Sequence, residues 1–279
     1  MTLREAYAYG SSYLESQEIL EADLDAWYLL EYVTKRSRSD YYAHGEDELA
    51  PIQVISYKKL LEERGGRIPL QYLTGQQEFM GLSFRVNEEV LIPRQDTETL
   101  VEEVLKVLRP GMQVLDLCTG SGCILISLLA LCPGLLGLGT DISPSALAVA
   151  RENAKNLGVE AKFRKSDMFA RISGEPFDCI VSNPPYIASR DIPGLMTEVR
   201  EYEPRQALDG GADGLNFYRI LAREAGGHLK ENGRLYVEIG CDQGGQVSSL
   251  FKEAGFSDVE VIRDLCGKDR VVRGINRGE

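Results

Sequence analysis

Apolar residues recur at helical spacing from the start of the chain. Leu3, Ala6, Tyr7, Gly10 and Leu14 share one face when this segment is built as a helix. The repeat predicts a helix that packs this face against other elements.

Two further helices are predicted before residue 75. Asp23 is placed to cap the first of them, and Pro51 stands at the first position of the second, which ends at Gly65-Gly66. The apolar positions that they are expected to bury are Leu24, Trp27, Leu30, Val33, Ile52, Ile55 and Leu60. Residues 1–75 are therefore predicted to form a small N-terminal helical domain. We expect this domain to dock the substrate.

Alternation replaces helical spacing after residue 75. Apolar and polar residues alternate from Glu78 to Val86 around Gly81, as they do in a short β-hairpin. Residues 76–92 are predicted to form a β-hairpin connector.

From residue 93 onward, short apolar strands alternate with helical segments. The predicted strands are 113–117, 135–140, 161–165, 179–182, 234–239, 258–262 and 270–275. The predicted helices are 97–108, two that start at Cys123 and Pro144, 216–229 and 243–254. This alternation predicts an α/β domain over residues 93–279, with a Rossmann-like, seven-stranded and mostly parallel sheet covered by helices on both faces. Ligands of such sheets bind at the carboxyl ends of the strands.

The composition is that of an ordinary globular protein. Of the 279 residues, 43% are hydrophobic and 27% are charged. No apolar run approaches the roughly 20 residues that span a bilayer. The N-terminal segment carries Glu5, Glu15 and Glu18 and has no apolar signal core. We expect a cytoplasmic protein without a membrane anchor.

The chain is acidic, with a formal net charge of −12. A protein that grips duplex nucleic acid usually carries a basic stripe, because neutralising phosphates dominates such binding. The acidity therefore argues against direct nucleic acid binding and favours a small-molecule or protein substrate, such as a basic protein.

The sequence offers few residues that could bind a metal ion. The cysteines form no C-x-x-C pair, and the only histidines are His44 and His228. The cysteines are Cys118, Cys123, Cys132, Cys179, Cys241 and Cys266. Since most of them lie in apolar stretches, we expect buried free thiols and no metal site.

The first motif with chemical content is an apolar strand that turns through Gly120 and Gly122 into a helix. Glycine lets a ligand approach the backbone closely, and the start of the helix offers free N–H groups. Asp141 follows about 20 residues later, at the end of the next predicted strand, where a carboxylate can accept hydrogen bonds from a ribose. The pair indicates a nucleoside cofactor. A dinucleotide-binding G-x-G-x-x-G would need glycine where this chain has Leu125.

The second motif, Asn183-Pro184-Pro185-Tyr186, follows another apolar strand. A planar NH₂ group attacks a methyl sulfonium poorly, because its lone pair is delocalised. The Asn183 side-chain carbonyl and the Pro184 backbone carbonyl could accept from both N–H bonds and orient the nitrogen. The prolines stiffen the loop, and the Tyr186 ring can lie flat against an amide or a base. The motif predicts methylation of a planar NH₂ group and leaves glutamine and adenine open.

The flanks of these motifs resemble the PrmC/HemK family of release factor glutamine methyltransferases. The matching stretches are PLQYLTG at 69–75, VLIPRQDTE at 90–98, EP at 203–204, AL at 207–208, GG at 210–211, DGL at 213–215, EIG at 238–240, DL at 264–265 and DR at 269–270. They run almost end to end, whereas Asn-Pro-Pro-Tyr alone is shared with DNA adenine methyltransferases. Gln95 departs from the family, which usually has proline there. Met168 stands where other members carry assorted apolar residues.

The resemblance implies an S-adenosylmethionine-dependent methyltransferase core, with S-adenosylhomocysteine as the product. The acceptor would be the side-chain nitrogen N5 of the glutamine in the Gly-Gly-Gln motif of peptide-chain release factors. The partner would be a protein, without direct contact to nucleic acid, and the enzyme a monomer. No metal is implied.

The family's residue roles carry over onto the two motifs. Those implied to line the cofactor are Cys118, Thr119, Gly120, Ser121 and Gly122 at its methionine part, Asp141 at its ribose, Asp167 and Met168 at its adenine, and Asn183. Those implied to hold the substrate glutamine are Asn183, Pro184, Pro185 and Tyr186, of which Asn183, Pro184 and Tyr186 are the catalytic residues. Arg94 and Thr97 would approach the amino-acid end of the cofactor.

Two other functions compete with this one. Adenine N6-methylation of nucleic acid uses the same loop chemistry but predicts a basic cleft or a separate recognition domain. A non-catalytic nucleoside-binding scaffold predicts a damaged loop, and this loop is intact. We interpret the internal Gly244-Gly245-Gln246 as a coincidence at a helix start, and Glu201 and Glu203 as solvated or structural residues rather than bases.

Overall fold

The computed structural model describes residues 1–174 and 176–278. They form two compact units. The first contains Met1–Gln76 together with Met196–Tyr202, and the second contains the rest of the described chain. Residues 196–202 are predicted from the sequence to belong to the C-terminal domain. In the structure this segment packs with the N-terminal helices.

The described helices, in chain order, are α1 Leu3–Ser16, α2 Ala22–Thr34, α3 Arg38–His44, α4 Pro51–Gly65, α5 Leu70–Thr74, α6 Glu98–Leu105, α7 Cys123–Leu131, α8 Pro144–Asn156, α9 Thr197–Tyr202, α10 Asn216–Glu224 and α11 Gly244–Glu253. The described strands are β1 Gln76–Phe79, β2 Leu82–Arg85, β3 Gln113–Leu117, β4 Leu136–Asp141, β5 Lys162–Lys165, β6 Phe177–Ser182, β7 Leu229–Glu238, β8 Ser257–Arg263 and β9 Asp269–Ile275. Short 3₁₀ turns precede α6 and follow α10.

The N-terminal unit is built from α1 to α5 and α9. A capping box starts α1, because the Thr2 hydroxyl accepts from the amide of Glu5 while the Glu5 carboxylate accepts from the amide of Thr2. Pro51 occupies the first turn of α4, as predicted. The cap of α2 is Glu21 rather than Asp23, which lies inside the first turn.

The predicted apolar faces of α2 and α4 are partly wrong. Leu24, Ile52 and Ile55 are exposed. Helix α4 instead buries Tyr57 and Arg64, together with Leu61. A charged side chain therefore occupies a position that periodicity alone would give to an apolar residue.

Arg64 is buried because it is paired on two sides. Its Nε donates to Asp25 at 2.6 Å, and its Nη2 lies 3.1 Å from a carboxylate oxygen of Glu198 on α9. Burial raises the pKa of Asp25, and the Arg64 guanidinium opposes that rise. The pKa of Glu198 is lowered, since its hydrogen bonds and Arg64 together outweigh its burial. This ion cluster ties the 196–202 segment to the N-terminal helices.

The second unit contains the predicted hairpin and the predicted α/β core. Strands β1 and β2 pair with each other, and within the described residues the main sheet has seven strands in the order β5-β4-β3-β6-β7-β9-β8. Strands β3 to β7 are parallel, whereas β9 runs antiparallel to β7 and β8. The predicted fold class is confirmed.

The strand order fixes where a ligand fits. From β3 the chain moves outward through β4 to β5, and it then returns to place β6 on the other side of β3. Parallel sheets of this kind bind ligands at the carboxyl ends of the strands where the order reverses. That point lies between β3 and β6.

The cysteines are free thiols in the structure, but not all of them are buried. Cys123 and Cys179 are buried, whereas Cys241 and Cys266 are exposed. Within the part of the chain that the structure describes, no helix combines the length and the apolar character that crossing a membrane requires.

Candidate active site

The carboxyl ends of β3, β4 and β6 surround a cavity of about 260 Å³ in the second unit. Among the residues that line it are Val90, Leu91, Cys118, Gly120, Asp141, Ile142, Ser143, Ser166, Asp167, Met168, Asn183, Pro185, Gln206 and Phe217. Both sequence motifs therefore reach the same cavity.

The predicted site residues divide into two groups. Those that line the cavity are Cys118, Gly120, Asp141, Asp167, Met168, Asn183 and Pro185. Those that lie around it without belonging to its lining are Thr119, Ser121, Gly122, Pro184 and Tyr186. Phe217 and Ile142 also line the cavity and were not predicted from the sequence. Only Ile142 had a signal there, because it follows Asp141 directly in the chain.

Asp141, at the end of β4, is held by backbone amides. One carboxylate oxygen accepts from the amide of Gly120 and the other from the amide of Ser143, each at 2.9 Å. Burial raises the pKa of Asp141, and these backbone N–H groups oppose the rise. Each oxygen keeps a further lone pair, so the carboxylate suits a ligand that offers two hydroxyl donors, such as a ribose.

The backbone is strained on both sides of the cavity. Cys118 has a φ of 59° and Met168 a φ of 43°, which only glycine adopts without cost. The two sulfur atoms lie 3.8 Å apart. Such conformations concentrate at ligand sites, where the surrounding structure compensates for the strain.

Gly122 is required by packing rather than by a ligand. Its φ is 81°, and a Cβ there would lie 2.9 Å from Cδ1 of Ile126 and 3.2 Å from Cβ of Ala150. The glycine lets α7 begin close to α8. Its predicted contact with the cofactor stays a prediction.

Asp116 lies beneath the glycine loop, and sequence reasoning did not single it out. Its side chain is fully buried in β3 and accepts from the Thr119 hydroxyl at 2.5 Å. Within the described residues its Oδ1 has no hydrogen-bond partner. Burial raises the pKa of Asp116 to about 7.

Asn183 is oriented by a residue from outside its own loop. Its Nδ2 donates to Oγ1 of Thr97 at 3.2 Å. In the described residues its Oδ1 has no protein donor, so this oxygen is available as an acceptor. Thr97 is buried just before α6.

Pro185 and Tyr186, at the end of the loop, lie close to the backbone of residues 210–214. A Cβ on Gly210 would lie 2.8 Å from the carbonyl oxygen of Pro185, and one on Gly214 would lie 2.4 Å from that of Tyr186. The Gln243 side chain also donates to the Tyr186 carbonyl at 3.0 Å. Glycine is needed at 210 and 214 because the backbone there approaches the backbone of the loop closely.

Glu238, at the end of β7, is the second acid that sequence reasoning missed as a site residue. It is buried, and its Oε1 accepts from the Tyr186 hydroxyl at 3.2 Å. Burial raises the pKa of Glu238 to about 7, against the lowering effects of the Thr97 hydroxyl, Arg270 and the Tyr186 hydroxyl. In the sequence, its motif Glu238-Ile239-Gly240 stands out only as a family match.

The two carboxylates that follow the loop in the chain are both engaged in ion pairs, so neither is available to act as a base. Glu203 is buried, pairs with Arg94 and accepts from the amide of Ile92. Glu201 is paired with Arg200 at the surface. Arg94, which we expected near the cofactor, is thus engaged with Glu203 and is not part of the cavity lining.

Two further features bear on the predicted chemistry. Within the described residues, no group of three or more His, Cys, Asp and Glu side chains is arranged to hold a metal ion. The internal Gly244-Gly245-Gln246 forms the first turn of α11, with Gln246 exposed.

Known proteins resemble this chain over its whole length. The family model described as PrmC N-terminal domain matches residues 5–75, and the methyltransferase small domain matches residues 95–200. The release factor glutamine methyltransferase of Moorella thermoacetica is 43% identical over 284 residues, covering 100% of both chains. That of Geobacter sulfurreducens is 40% identical, covering 98% of this chain and 96% of its own. The crystal structure of a methyltransferase from Pyrococcus furiosus covers 78% of this chain and 100% of its own, with a TM-score of 0.55 and 20% identity, and so shares the fold.

Proposed function

The chain belongs to the family of release factor glutamine methyltransferases, and on that premise we propose that it methylates N5 of the glutamine in the Gly-Gly-Gln motif of peptide-chain release factors. The methyl donor is S-adenosylmethionine. The observation that carries the proposal is the convergence of Asn183 and Asp141 on one cavity, in a chain related to these enzymes from end to end. We further propose that the enzyme acts in the cytoplasm as a monomer.

The residues around the cavity fit this cofactor. When bound, S-adenosylmethionine supplies an electrophilic methyl group on a sulfonium. The Asp141 carboxylate, fixed by two amides, would accept from the ribose hydroxyls. Asp167 and Met168 would lie at the adenine, and Cys118 and Gly120 at the methionine part. Thr119, Ser121 and Gly122 would support that end from behind the lining.

The loop residues would prepare the substrate nitrogen. Oδ1 of Asn183 and the Pro184 carbonyl would each accept one N–H bond of the glutamine amide, which orients the nitrogen lone pair toward the methyl group. Pro185 keeps the loop stiff and contributes to the cavity wall. The ring of Tyr186 would lie against the plane of the glutamine amide. No side chain is required as a base, because the methylated amide loses its extra proton readily to water.

Adenine N6-methylation would use the same loop and is the competing activity. The Moorella thermoacetica and Geobacter sulfurreducens relatives, which match over nearly the full length, are release factor glutamine methyltransferases. The net charge of −12 also opposes a duplex substrate. The glutamine assignment is therefore favoured.

A transfer assay distinguishes these activities. The protein is incubated with S-adenosylmethionine labelled in the methyl group and with one acceptor at a time: a release factor, its Gly-Gly-Gln variant with Gln→Ala, or duplex DNA. We expect label in the intact release factor alone. Label in DNA, or equal label in the variant, would contradict the proposal.

The role of Asn183 is tested by its replacement. Asn183→Ala removes an acceptor used in the transition state, so kcat should fall by roughly 10²-fold or more. Asn156→Ala, at an exposed position on α8, is the matched control and should leave kcat unchanged. Equal turnover by the two variants would remove Asn183 from the mechanism.

A further inference from the structure

Tyr186, the last residue of the substrate loop, is held by two other parts of the chain. Its hydroxyl donates to Oε1 of Glu238, at the end of β7, at 3.2 Å. Its backbone carbonyl accepts from Nε2 of Gln243, at the start of α11, at 3.0 Å. The first contact fixes the ring, and the second fixes the backbone.

The side-chain amide of Gln243 can take only one orientation. Its Oε1 accepts from the amide of Gly240 at 2.9 Å, and a backbone N–H can only donate. Its Nε2 donates to the carbonyls of Tyr186 at 3.0 Å and Gly214 at 3.4 Å, and a carbonyl can only accept. A half-turn of the amide would set donor against donor and acceptor against acceptors. Nε2 therefore stays on the Tyr186 carbonyl.

Two glycines make room for this amide. A Cβ on Gly214 would lie 2.8 Å from Nε2 of Gln243, and one on Gly240 would lie 3.0 Å from its Oε1. The Tyr218 hydroxyl lies 3.4 Å from the same Oε1, and Gln243 is buried. The surroundings of Gln243 thus fit a side chain of this length that ends in an amide.

The prolines carry the constraint back into the loop. Their rings fix φ of Pro184 and Pro185 near −65°, and ψ of Pro184 is restricted as well because a proline follows it. On the other side of Tyr186, the amide of Ile187 donates to the carbonyl of Leu208 at 3.0 Å. Few backbone rotations remain between the carbonyls of Pro184 and Tyr186. Holding the second carbonyl therefore limits where the first can lie.

The geometry points to Gln243 as a positioning residue, which keeps the Pro184 carbonyl where it can accept from the substrate amide. This inference rests on the reaction proposed above. Gln243 lies outside the lining of the cavity, so it acts through Tyr186 and the prolines and does not touch the reacting atoms. Since 57 positions separate Gln243 from Tyr186, no local motif joins them.

The contact can be observed without any release factor, because the chain contains a single Tyr-Ile pair, at 186–187. The full-length protein is labelled with ¹³C at the tyrosine backbone carbonyls and ¹⁵N at the isoleucine amides, and a spectrum that selects ¹³C bonded to ¹⁵N shows this pair alone. Gln243→Met keeps the length of the side chain and removes its donor, so the ¹³C signal of Tyr186 should shift. Gln246→Met, the same change at an exposed position of α11, should leave the signal where it is.

Gln243→Asn separates positioning from a role in starting α11. Gln243 is the N-cap of this helix, and asparagine is a preferred N-cap residue. Its shorter side chain cannot reach the Tyr186 carbonyl while its backbone stays in place. The Tyr186 signal should therefore shift as in Gln243→Met, and the protein should unfold at a temperature close to that of the wild type. A residue needed only to start the helix would leave the signal unchanged in Gln243→Asn.

Kinetics with a release factor complete the test. Both Gln243 variants should lower kcat by roughly 10- to 100-fold, because a small misplacement of a group that orients the substrate is costly. KM for S-adenosylmethionine should change little, and Gln246→Met should keep the wild-type kcat. An unshifted Tyr186 signal in both Gln243 variants, or a shifted signal with full kcat, would overturn the inference. A wild-type protein that methylates no release factor would refute the proposed function alone, since the Tyr186 signal still decides whether Gln243 holds the loop.

Discussion

Asp116 combines full burial with an incomplete set of hydrogen bonds. The Thr119 hydroxyl donates to one of its oxygens, and within the described residues the other oxygen has no partner. Asp141 adds like charge nearby. Burial is the main cause of its raised pKa, so the folded state favours the neutral acid and resists its ionisation.

The stability of the second unit should therefore fall with rising pH because of Asp116. Its pKa is 3.8 in an unfolded chain and about 7 in the fold, so its contribution is most favourable below pH 3.8 and is lost as pH rises to 7. Between pH 5 and pH 8 the wild type should lose about 3 kcal/mol that Asp116→Asn does not lose. Urea unfolding followed by far-UV circular dichroism at both pH values measures this difference. A difference between the two proteins that does not depend on pH would show that Asp116 is ionised throughout.

At the scale of elements, the packing of α1 against α4 depends on the absence of a side chain. Tyr57 on α4 is buried and donates its hydroxyl to the carbonyl of Ala26 at 3.0 Å. Gly10 on α1 faces it, and a Cβ there would lie 1.9 Å from the Tyr57 hydroxyl oxygen. The apolar repeat predicted that Gly10 faces the core, and the structure supplies the reason why it is glycine.

Gly10→Ala should destabilise the N-terminal unit although alanine is the better helix former. The gain in helix propensity is about 1 kcal/mol. The forced movement of Tyr57 costs roughly 1–3 kcal/mol in overpacking and leaves a buried polar group unpaired at a similar cost. We expect a net loss of about 2 kcal/mol, measured by urea unfolding with the fluorescence of Trp27, the only tryptophan, as the probe.

Two variants test whether the clash with Tyr57 causes that loss. Tyr57→Phe combined with Gly10→Ala removes the hydroxyl that clashes and should lose less than the sum of the single changes. Gly245→Ala in α11, where a Cβ would meet nothing within 4 Å, should not destabilise the protein. Equal stability of Gly10→Ala and the wild type would mean that α1 and α4 separate easily.

The order of the strands marks the limit of what the sequence could predict. Alternating apolar strands and helices predicted the seven-stranded core and a ligand site at the carboxyl ends of its strands, where Asp141 and Asn183 line one cavity in the structure. Glu238 was not identified, because its nearness to Tyr186 requires β7 to pair with β6, with Val237 opposite Ser182. Strands that are neighbours in a sheet need not be neighbours in the chain. Local sequence patterns therefore could not predict the contact between Glu238 and Tyr186.

At the scale of the whole molecule, the chain leaves the second unit at residue 196 and returns to it at residue 203. Periodicity could not predict this excursion, since α9 has only six residues and carries Glu198 as its buried side chain. The burial of Arg64 could not be predicted from periodicity either. A buried charge is stable only with partners, and Asp25 and Glu198 come from distant parts of the sequence.

Removing the cation from this cluster should therefore unfold the N-terminal unit more easily. Arg64→Met keeps the length of the side chain but leaves Asp25 without a cation in the described part of the chain, while Glu198 keeps only Arg67 at 3.4 Å. An unpaired buried charge costs about 3–5 kcal/mol, so the midpoint of the Trp27 transition should fall clearly. Arg64→Lys, which keeps the charge and loses the two-sided fork, should fall between Arg64→Met and the wild type. Neutralising the stranded acid with Asp25→Asn should recover part of the loss in Arg64→Met, because the two changes act on one ion cluster. If Arg64→Met instead matches the wild type, the cluster contributes no net stability, and apolar packing alone holds residues 196–202 in the N-terminal unit.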